Sequence, residues 1–276
     1  MAGLFVAHLL LRAGWDVQVY EKAAGELESR GAGIVTHPEL VQALEAAGLP
    51  PGDTLGVAVR QRVVLARDGS TIESQPLPQV LTAWGRLYQM LRESFPAARY
   101  HQGKALEHFE QDAAGVILRF ADGSTAAGDL LLAADGLRST VRHALLPGAV
   151  AQYAGYVAWR GLVDEAVLSP RTLRDLFPYF AFCLPPHEQM LAYPVAGPGN
   201  TLEPGRRRYN FVWYRPADAT TGLPAIATDA TGRYWPEGIP PPLIRPDVLE
   251  DARQAAAEVL APQFAEVVAK TASLFF

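Results

Sequence analysis

The chain has 276 residues, 49% hydrophobic and 19% charged, with 24 basic residues against 29 acidic ones and a formal net charge of −5. This composition excludes a disordered or fibrous chain, and the acidic balance gives a nucleic-acid polyanion no overall attraction. At this length roughly three quarters of the unfolded surface is buried on folding, enough for two domains without disulfide or metal staples.

Only Lys22, Lys104 and Lys270 are lysines, so the basic residues are nearly all arginine, suited to planar contact with phosphate or carboxylate, or simply a product of codon composition. The one cysteine, Cys183, cannot form an internal disulfide, which fits a reducing compartment, the cytoplasm. No apolar run approaches the ~20 residues of a membrane-spanning helix. The run Leu4 to Leu11 lacks the flanks of a signal peptide.

Residues Gly3 to Arg12 read as a helix with small residues at Gly3 and Ala7, ended by Gly14. Val17 to Tyr20 then form a strand that stops at Glu21. In a dinucleotide-binding βαβ unit the last glycine of GxGxxG opens the first helix, and an acid about 20 positions on bonds the ribose hydroxyls from the tip of the second strand. Gly3 and Glu21 fit those two positions, while the first strand and the first two glycines have no counterpart before them. An amphipathic helix and strand with an acidic end is the other reading of this segment.

Val57 to Ser74 read as strands around an Asp68-Gly69 turn, and Trp84 to Phe95 as a helix with apolar Leu87, Met90 and Leu91. Val116 to Phe120 and Ser124 to Ala126 give a hairpin across Ala-Asp-Gly. Asp129 to Ala134 is a near-continuous apolar run, the pattern of a fully buried strand, and it ends at Asp135-Gly136 before a polar helix start. Such a strand-to-helix turn is where α/β folds place ligands. From 151 the pattern shifts to strands at Tyr153–Val163, Tyr179–Leu184, Met190–Val195 and Tyr209–Tyr214. Residues 217–246, rich in Pro, Gly and Thr, read as an irregular connection before helices at Val248–Leu260 and Phe264–Ala269.

The run Leu130 to Arg142, LLLAADGLRSTVR, resembles the Asp-Gly motif of the class A FAD-dependent aromatic monooxygenases, the family of p-hydroxybenzoate hydroxylase. The same family has a ribose-binding acid in a setting like Val19-Tyr20-Glu21-Lys22 and an arginine in a loop like Arg30-Gly31-Ala32-Gly33-Ile34. Segments Gly155 to Gly161, Ala192 to Val195 and Arg208 to Arg215 bring the likeness closest to the dihydroxypyridine hydroxylase branch. The resemblance implies that Gly3, Glu21, Lys22, Arg30, Arg86, Leu106, Asp135 and Gly136 serve FAD: Glu21 at the adenosine ribose, Arg30 facing the cofactor, Leu106 at the adenine through its backbone, and Asp135 beside the pyrophosphate and ribityl chain. Four of them have a structural alternative: Glu21 as a solvated strand end, Arg30 as a loop ion pair, Leu106 as a core residue and Asp135 as a helix N-cap, a role compatible with the cofactor one. The family's flavin-side arginine position holds Trp84 here, with Arg86 nearby, and its Gly-Asp motif has no counterpart.

The expected fold class is α/β: an FAD-binding Rossmann-like (GR2-type) domain over 1–150, with a strand excursion at 57–76 and without its first strand and Gly-Asp segment. A mostly antiparallel β substrate domain follows over 151–236, then a C-terminal helical segment over 237–276, so the chain reads as incomplete at both ends. The aromatic density of 153–214 suits a flat ring. Tyr193, Tyr209 and Asn210 are the candidates to reach it, and Tyr193, Tyr209 or His37 the candidates to help ionise a substrate hydroxyl. No histidine has metal-ligand spacing with a partner.

The expected function is hydroxylation of an aromatic or N-heteroaromatic ring by FAD, NAD(P)H and dioxygen, in a monomer or homodimer with neither nucleic acid nor membrane as partner. The alternatives are a flavin-free, inactive member of the family and a nicotinamide dehydrogenase.

Overall fold

The computed structural model describes residues 1–25, 33–50, 52 and 55–276. In chain order the helices are α1 (Ala2–Arg12), α2 (Pro38–Ala46), α3 (Trp84–Glu93), α4 (Thr140–Leu145), α5 (Pro170–Leu176), α6 (Gly222–Ala227), α7 (Pro246–Val259) and α8 (Pro262–Lys270). The first eight strands are β1 (Val19–Glu21), β2 (Gly33–Val35), β3 (Val57–Leu65), β4 (Thr71–Ala83), β5 (Tyr100–Gln102), β6 (Leu106–Asp112), β7 (Gly115–Phe120) and β8 (Thr125–Gly128). Four more follow: β9 (Tyr156–Asp164), β10 (Tyr179–Cys183), β11 (Gln189–Val195) and β12 (Arg208–Pro216). The chain forms two compact units, one from Met1–Arg30, Pro38–Gly52 and Leu87–Gln152, the other from Gly31–His37, Asp53–Arg86 and Tyr153–Phe276.

In the first unit α1 buries Leu4, Ala7 and His8, and His8 Nε2 is bonded to the Leu91 carbonyl at 2.8 Å. Gly14, at φ +87°, turns the chain out of the helix, with Trp15 N–H donating to the Leu10 carbonyl. β1 then pairs in parallel with β5, Glu21 lying opposite Gln102. β6, β7 and β8 form an antiparallel sheet whose hairpin turns at Gly123, φ +82°, where Asp122 accepts from Ser124 and is paired with Lys104.

One expectation fails here. Asp129 to Ala134 is not a strand and not buried: Leu130 is 59% and Leu132 49% exposed. A strand exists only when a neighbour takes up its N–H and C=O groups, and no described residue pairs with this run. Only Leu131 packs inward, against the cluster of Phe109, Val116, Leu118, Phe120 and Val141.

The second unit is built on a seven-stranded sheet in the order β2-β4-β3-β10-β11-β12-β9. All its pairings are antiparallel except β3 with β10. The 57–76 strands, read from sequence as an excursion of the first domain, are therefore part of this sheet. Alternation along the strands sends Trp159, Ala181, Met190, Tyr209, Phe211 and Trp213 to one face, where α7 and α8 cover them through Val248, Ala252, Ala256, Phe264, Val267 and Val268. The 237–276 helices thus complete the core of this unit rather than forming a separate segment. Glu266 of α8 accepts from Ser169 N–H and Oγ at 2.8 and 2.6 Å and also from the Thr172 hydroxyl, fastening α8 to α5.

No helix among the described residues is long and apolar enough to cross a membrane, and no His, Cys, Asp or Glu group among them could hold a metal.

Candidate functional site

The residues expected at the cofactor fall mainly in the first unit. Glu21 ends β1, and its Oε1 accepts from Ala23 N–H at 2.8 Å, which holds the carboxylate at the strand tip. Its field reaches the start of α1: burial lowers the pKa of the Met1 amino group and the Glu21 carboxylate acts against that shift. On the same helix, a Cβ at Gly3 would lie 3.3 Å from the Ala134 Cβ, so the glycine lets α1 approach the segment leading to Asp135.

Asp135 is exposed and accepts from Val141 N–H at 3.3 Å. Burial pushes its pKa up, but hydrogen bonds from the Ser139 side chain and from the Val141 and Thr140 backbone outweigh that and leave it lowered. Gly136, at φ +77°, makes the turn. Ser139 caps α4 by accepting from Arg142 N–H at 2.9 Å, so Asp135 is tied to the same turn without being its N-cap.

Leu106 opens β6 opposite Phe120 and is half-buried against the cluster around Phe109. Lys22 is exposed. Arg86 lies in the first turn of α3 and belongs to the second unit. Arg30 lies outside the described residues, as do Gly31 and Ala32.

The substrate candidates fall in the second unit, on the sheet face opposite the helices. There Tyr193 of β11 stands directly across from Asn210 of β12, and both press on Gly33 of β2. The Asn210 Oδ1 accepts from Gly33 N–H at 2.9 Å, while its Nδ2 is buried and has no hydrogen-bond partner among the described residues. A Cβ on Gly33 would sit 2.4 Å from Tyr193 Cε2 and 2.8 Å from Asn210 Cγ, so the absence of a side chain at 33 is what permits this packing. Tyr193 is buried, its ring edge-on to Phe180 with centroids 5.0 Å apart. Burial raises its pKa, which the nearby Arg160 guanidinium only partly opposes, so the phenol stays protonated.

Tyr209 does not join this pair. Sitting next to Asn210 in an extended strand, it points to the opposite face, fully buried among the helices, with its hydroxyl donating to the Leu176 and Ala192 carbonyls at 3.4 and 3.3 Å. His37 is exposed, two residues beyond β2.

Sequence reasoning passed over Arg160. It lies on β9 on the Tyr193 side of the sheet, half-buried, directly across from Val212. The signal was available in the alternation of Tyr156-Val157-Ala158-Trp159-Arg160-Gly161: a basic residue on the half-covered face of a strand whose core face is Val157, Trp159 and Gly161.

Comparison with known proteins adds the family. A family model described as FAD binding domain-like matches residues 153–276. The 2,6-dihydroxypyridine 3-monooxygenase of Paenarthrobacter nicotinovorans is 32% identical over 275 residues, covering 100% of this chain and 68% of that protein. The 3-amino-4-hydroxybenzoate 2-monooxygenase of Streptomyces cremeus is 34% identical over 253 residues, covering 87% of this chain and 61% of that protein. The solved 2,6-dihydroxypyridine-3-hydroxylase from Arthrobacter nicotinovorans superposes with a TM-score of 0.90 at 31% identity, over 99% of this chain and 68% of its own. The Klebsiella pneumoniae HpxO complexed with FAD and uric acid gives a TM-score of 0.72 at 25% identity, over 99% and 64%. The chain thus spans about two thirds of the length of the proteins it matches.

Proposed function

The chain belongs to the FAD-dependent aromatic monooxygenases, and on that footing we propose that it is the ring-hydroxylating part of an NAD(P)H-dependent hydroxylase acting on a small aromatic or N-heteroaromatic substrate. The observation that carries this reading is the pairing of Tyr193 with Asn210 over Gly33, a polar pair set beside the apolar cluster of Val59, Leu81, Phe180 and Val195. FAD, reduced by NAD(P)H, supplies the oxygen-activating chemistry when bound. The residues present in the first unit fit that group: an acid at a strand tip beside a helix start for the ribose, a glycine that admits close approach, and an ionised Asp135 able to accept from ribityl hydroxyls.

Every further role belongs to the chain's own side chains. Glu21 accepts from the ribose hydroxyls, with Oε1 already fixed by Ala23. Leu106 offers backbone to the adenine; Lys22, Arg86, Gly136 and, outside the described residues, Arg30 complete the cofactor set. Tyr193, kept protonated by burial, acts as a hydrogen-bond donor to a ring substituent rather than as a base. Phe180, Phe182 and Leu191 exclude water from the ring beside it. The proposed setting is a reducing cytoplasm, to which a free, buried Cys183 is suited, and the proposed state a monomer or homodimer.

The decisive measurement is reconstitution of the purified chain with FAD. Visible absorption bands that survive gel filtration and fall with Glu21→Gln support the reading, followed by ring-dependent NAD(P)H oxidation. A protein that stays colourless after incubation with FAD overturns it for this chain.

A further inference from the structure

The guanidinium of Arg160 makes no hydrogen bond or ion pair with a described residue, although the arginines of the neighbouring strand do. Arg208 is paired with Asp164 at 3.2 Å and Arg215 with Glu188 at 3.1 Å. The Arg160 backbone is fixed: its N–H donates to the Phe275 carbonyl at 2.7 Å and its carbonyl accepts from Phe275 N–H at 3.1 Å. Its flanks on the same face are Ala158 and Leu162, and Val212 lies across from it, so a charged group stands on a half-covered apolar surface without a counter-charge among the described residues. Such an arginine costs desolvation unless something acidic meets it, and its planar fork suits a carboxylate or a delocalised oxyanion.

The register shows what stands nearby. Asn210 is diagonal to Arg160 across the β9–β12 pairing, and Tyr193 lies directly beyond Asn210 on β11. The Arg160 charge acts on the Tyr193 phenol, the Tyr193 hydroxyl bonds no described residue, and Asn210 Nδ2 is an unmet buried donor. Among the described residues, three donors therefore occupy one stretch of the sheet whose amide acceptor, Asn210 Oδ1, is already taken by Gly33 N–H, with Tyr156 and Tyr214, edge-on at 5.6 Å, at its end.

We propose that Arg160, with Tyr193 and Asn210, forms an anion-recognising subsite that selects rings carrying a carboxylate or a ring oxyanion. This rests on the hydroxylase reading only for the ring as ligand. Arg160 is a binding and specificity residue, with no part in moving protons.

The test is equilibrium binding by the FAD-loaded chain, with turnover measured separately. One arm compares 4-hydroxybenzoate with 4-hydroxybenzamide; the other compares 4-nitrophenolate with 4-nitroanisole and also follows the nitrophenolate band to read the pKa of the bound phenol. The wild-type chain should prefer the anion by about tenfold or more in at least one arm, the scale of a charge-assisted hydrogen bond. Arg160→Leu should abolish that preference while keeping the neutral ligand's affinity, and Arg160→Lys should retain part of it. In the second arm the bound phenol's pKa should be depressed in the wild type and return to its free value in Arg160→Leu. If Arg160→Leu loses the neutral ligand as well, Arg160→Lys and Arg160→Gln take its place in the comparison. No anion preference in the wild type, or the same preference in all variants, overturns the proposal and leaves Arg160 a solvated surface arginine. Anion-selective binding with no hydroxylation of any ring would sink the hydroxylase reading and leave the subsite standing; hydroxylation without selectivity would do the reverse.

Discussion

Two adjacent residues, Tyr209 and Asn210, have equal claims in the sequence as polar groups in an aromatic strand, yet opposite fates in the structure. Extended backbone sends neighbours to opposite faces, so at most one could meet a ligand shared with Tyr193. Tyr209 donates to two backbone carbonyls in the helix-covered core. Tyr209→Phe should therefore cost about 1 kcal/mol in urea unfolding and leave the KM for any ring substrate unchanged; a KM change without a stability change would restore it as a substrate residue. Gly33→Ala should behave differently, because the new methyl meets Tyr193 at 2.4 Å and Asn210 at 2.8 Å, both buried and unable to swing away. Overpacking of this kind costs about 1–3 kcal/mol, and it should also displace Asn210, lowering ring affinity. A fully stable, fully active Gly33→Ala protein would contradict the packing described.

At the scale of elements, α5 and α8 are held together by two carboxylates, Asp175, which accepts from Gln263 at 3.0 Å, and Glu266. Glu266 receives hydrogen bonds from Ser169 and Thr172 and is paired with Lys270 at 2.7 Å. Burial raises its pKa, but the Lys270 ammonium first, then the hydrogen bonds from Ser169 and Thr172, outweigh burial and bring it down to about 2. A folded-state pKa below the unfolded value of about 4.3 means that the contribution is complete above that value and is lost as pH falls toward about 2. Glu266→Gln should thus be less stable than the parent at pH 7, and the gap should narrow as denaturant midpoints are followed from pH 5 to about pH 2; a constant gap would mean that ionisation of Glu266 is irrelevant. The same helices mark where the sequence was readable. The 3.6-residue pattern of 248–260 and the alternation of β9 to β12 are local signals, and both elements formed within a few residues of expectation. Strand partners are not local. Nothing within 57–76 says that β3 lies in parallel beside β10, and nothing within Asp129 to Ala134 says whether two neighbours will be present to cover it. The candidate site divides in the same way: Glu21 and Asp135 were legible because each ends a recognisable motif, whereas Arg160 acquires meaning only from the pairing that sets it diagonal to Asn210.

Across the whole molecule, the two kinds of candidate residue separate by unit, apart from Arg86, a cofactor candidate in the second. Glu21, Leu106, Asp135 and Gly136 belong to the first, and Arg160, Tyr193 and Asn210 to the second. A ligand that binds only the folded form stabilises it by RT ln(1 + [L]/Kd), about 2.7 kcal/mol at a hundredfold excess over Kd. Amide hydrogens that exchange only when the liganded segment opens should slow in proportion, so exchange reports which part of the chain each ligand holds. FAD alone should protect 17–25, 104–109 and 133–142, and Glu21→Gln should weaken that protection first at 17–25. An anionic ring added afterwards should protect β9, β11 and β12, and Arg160→Leu should remove this second layer while leaving the first intact. FAD protection confined to the seven-stranded sheet would contradict the assignment of Glu21 and Asp135 to the cofactor, because neither residue lies in that sheet and neither could account for it.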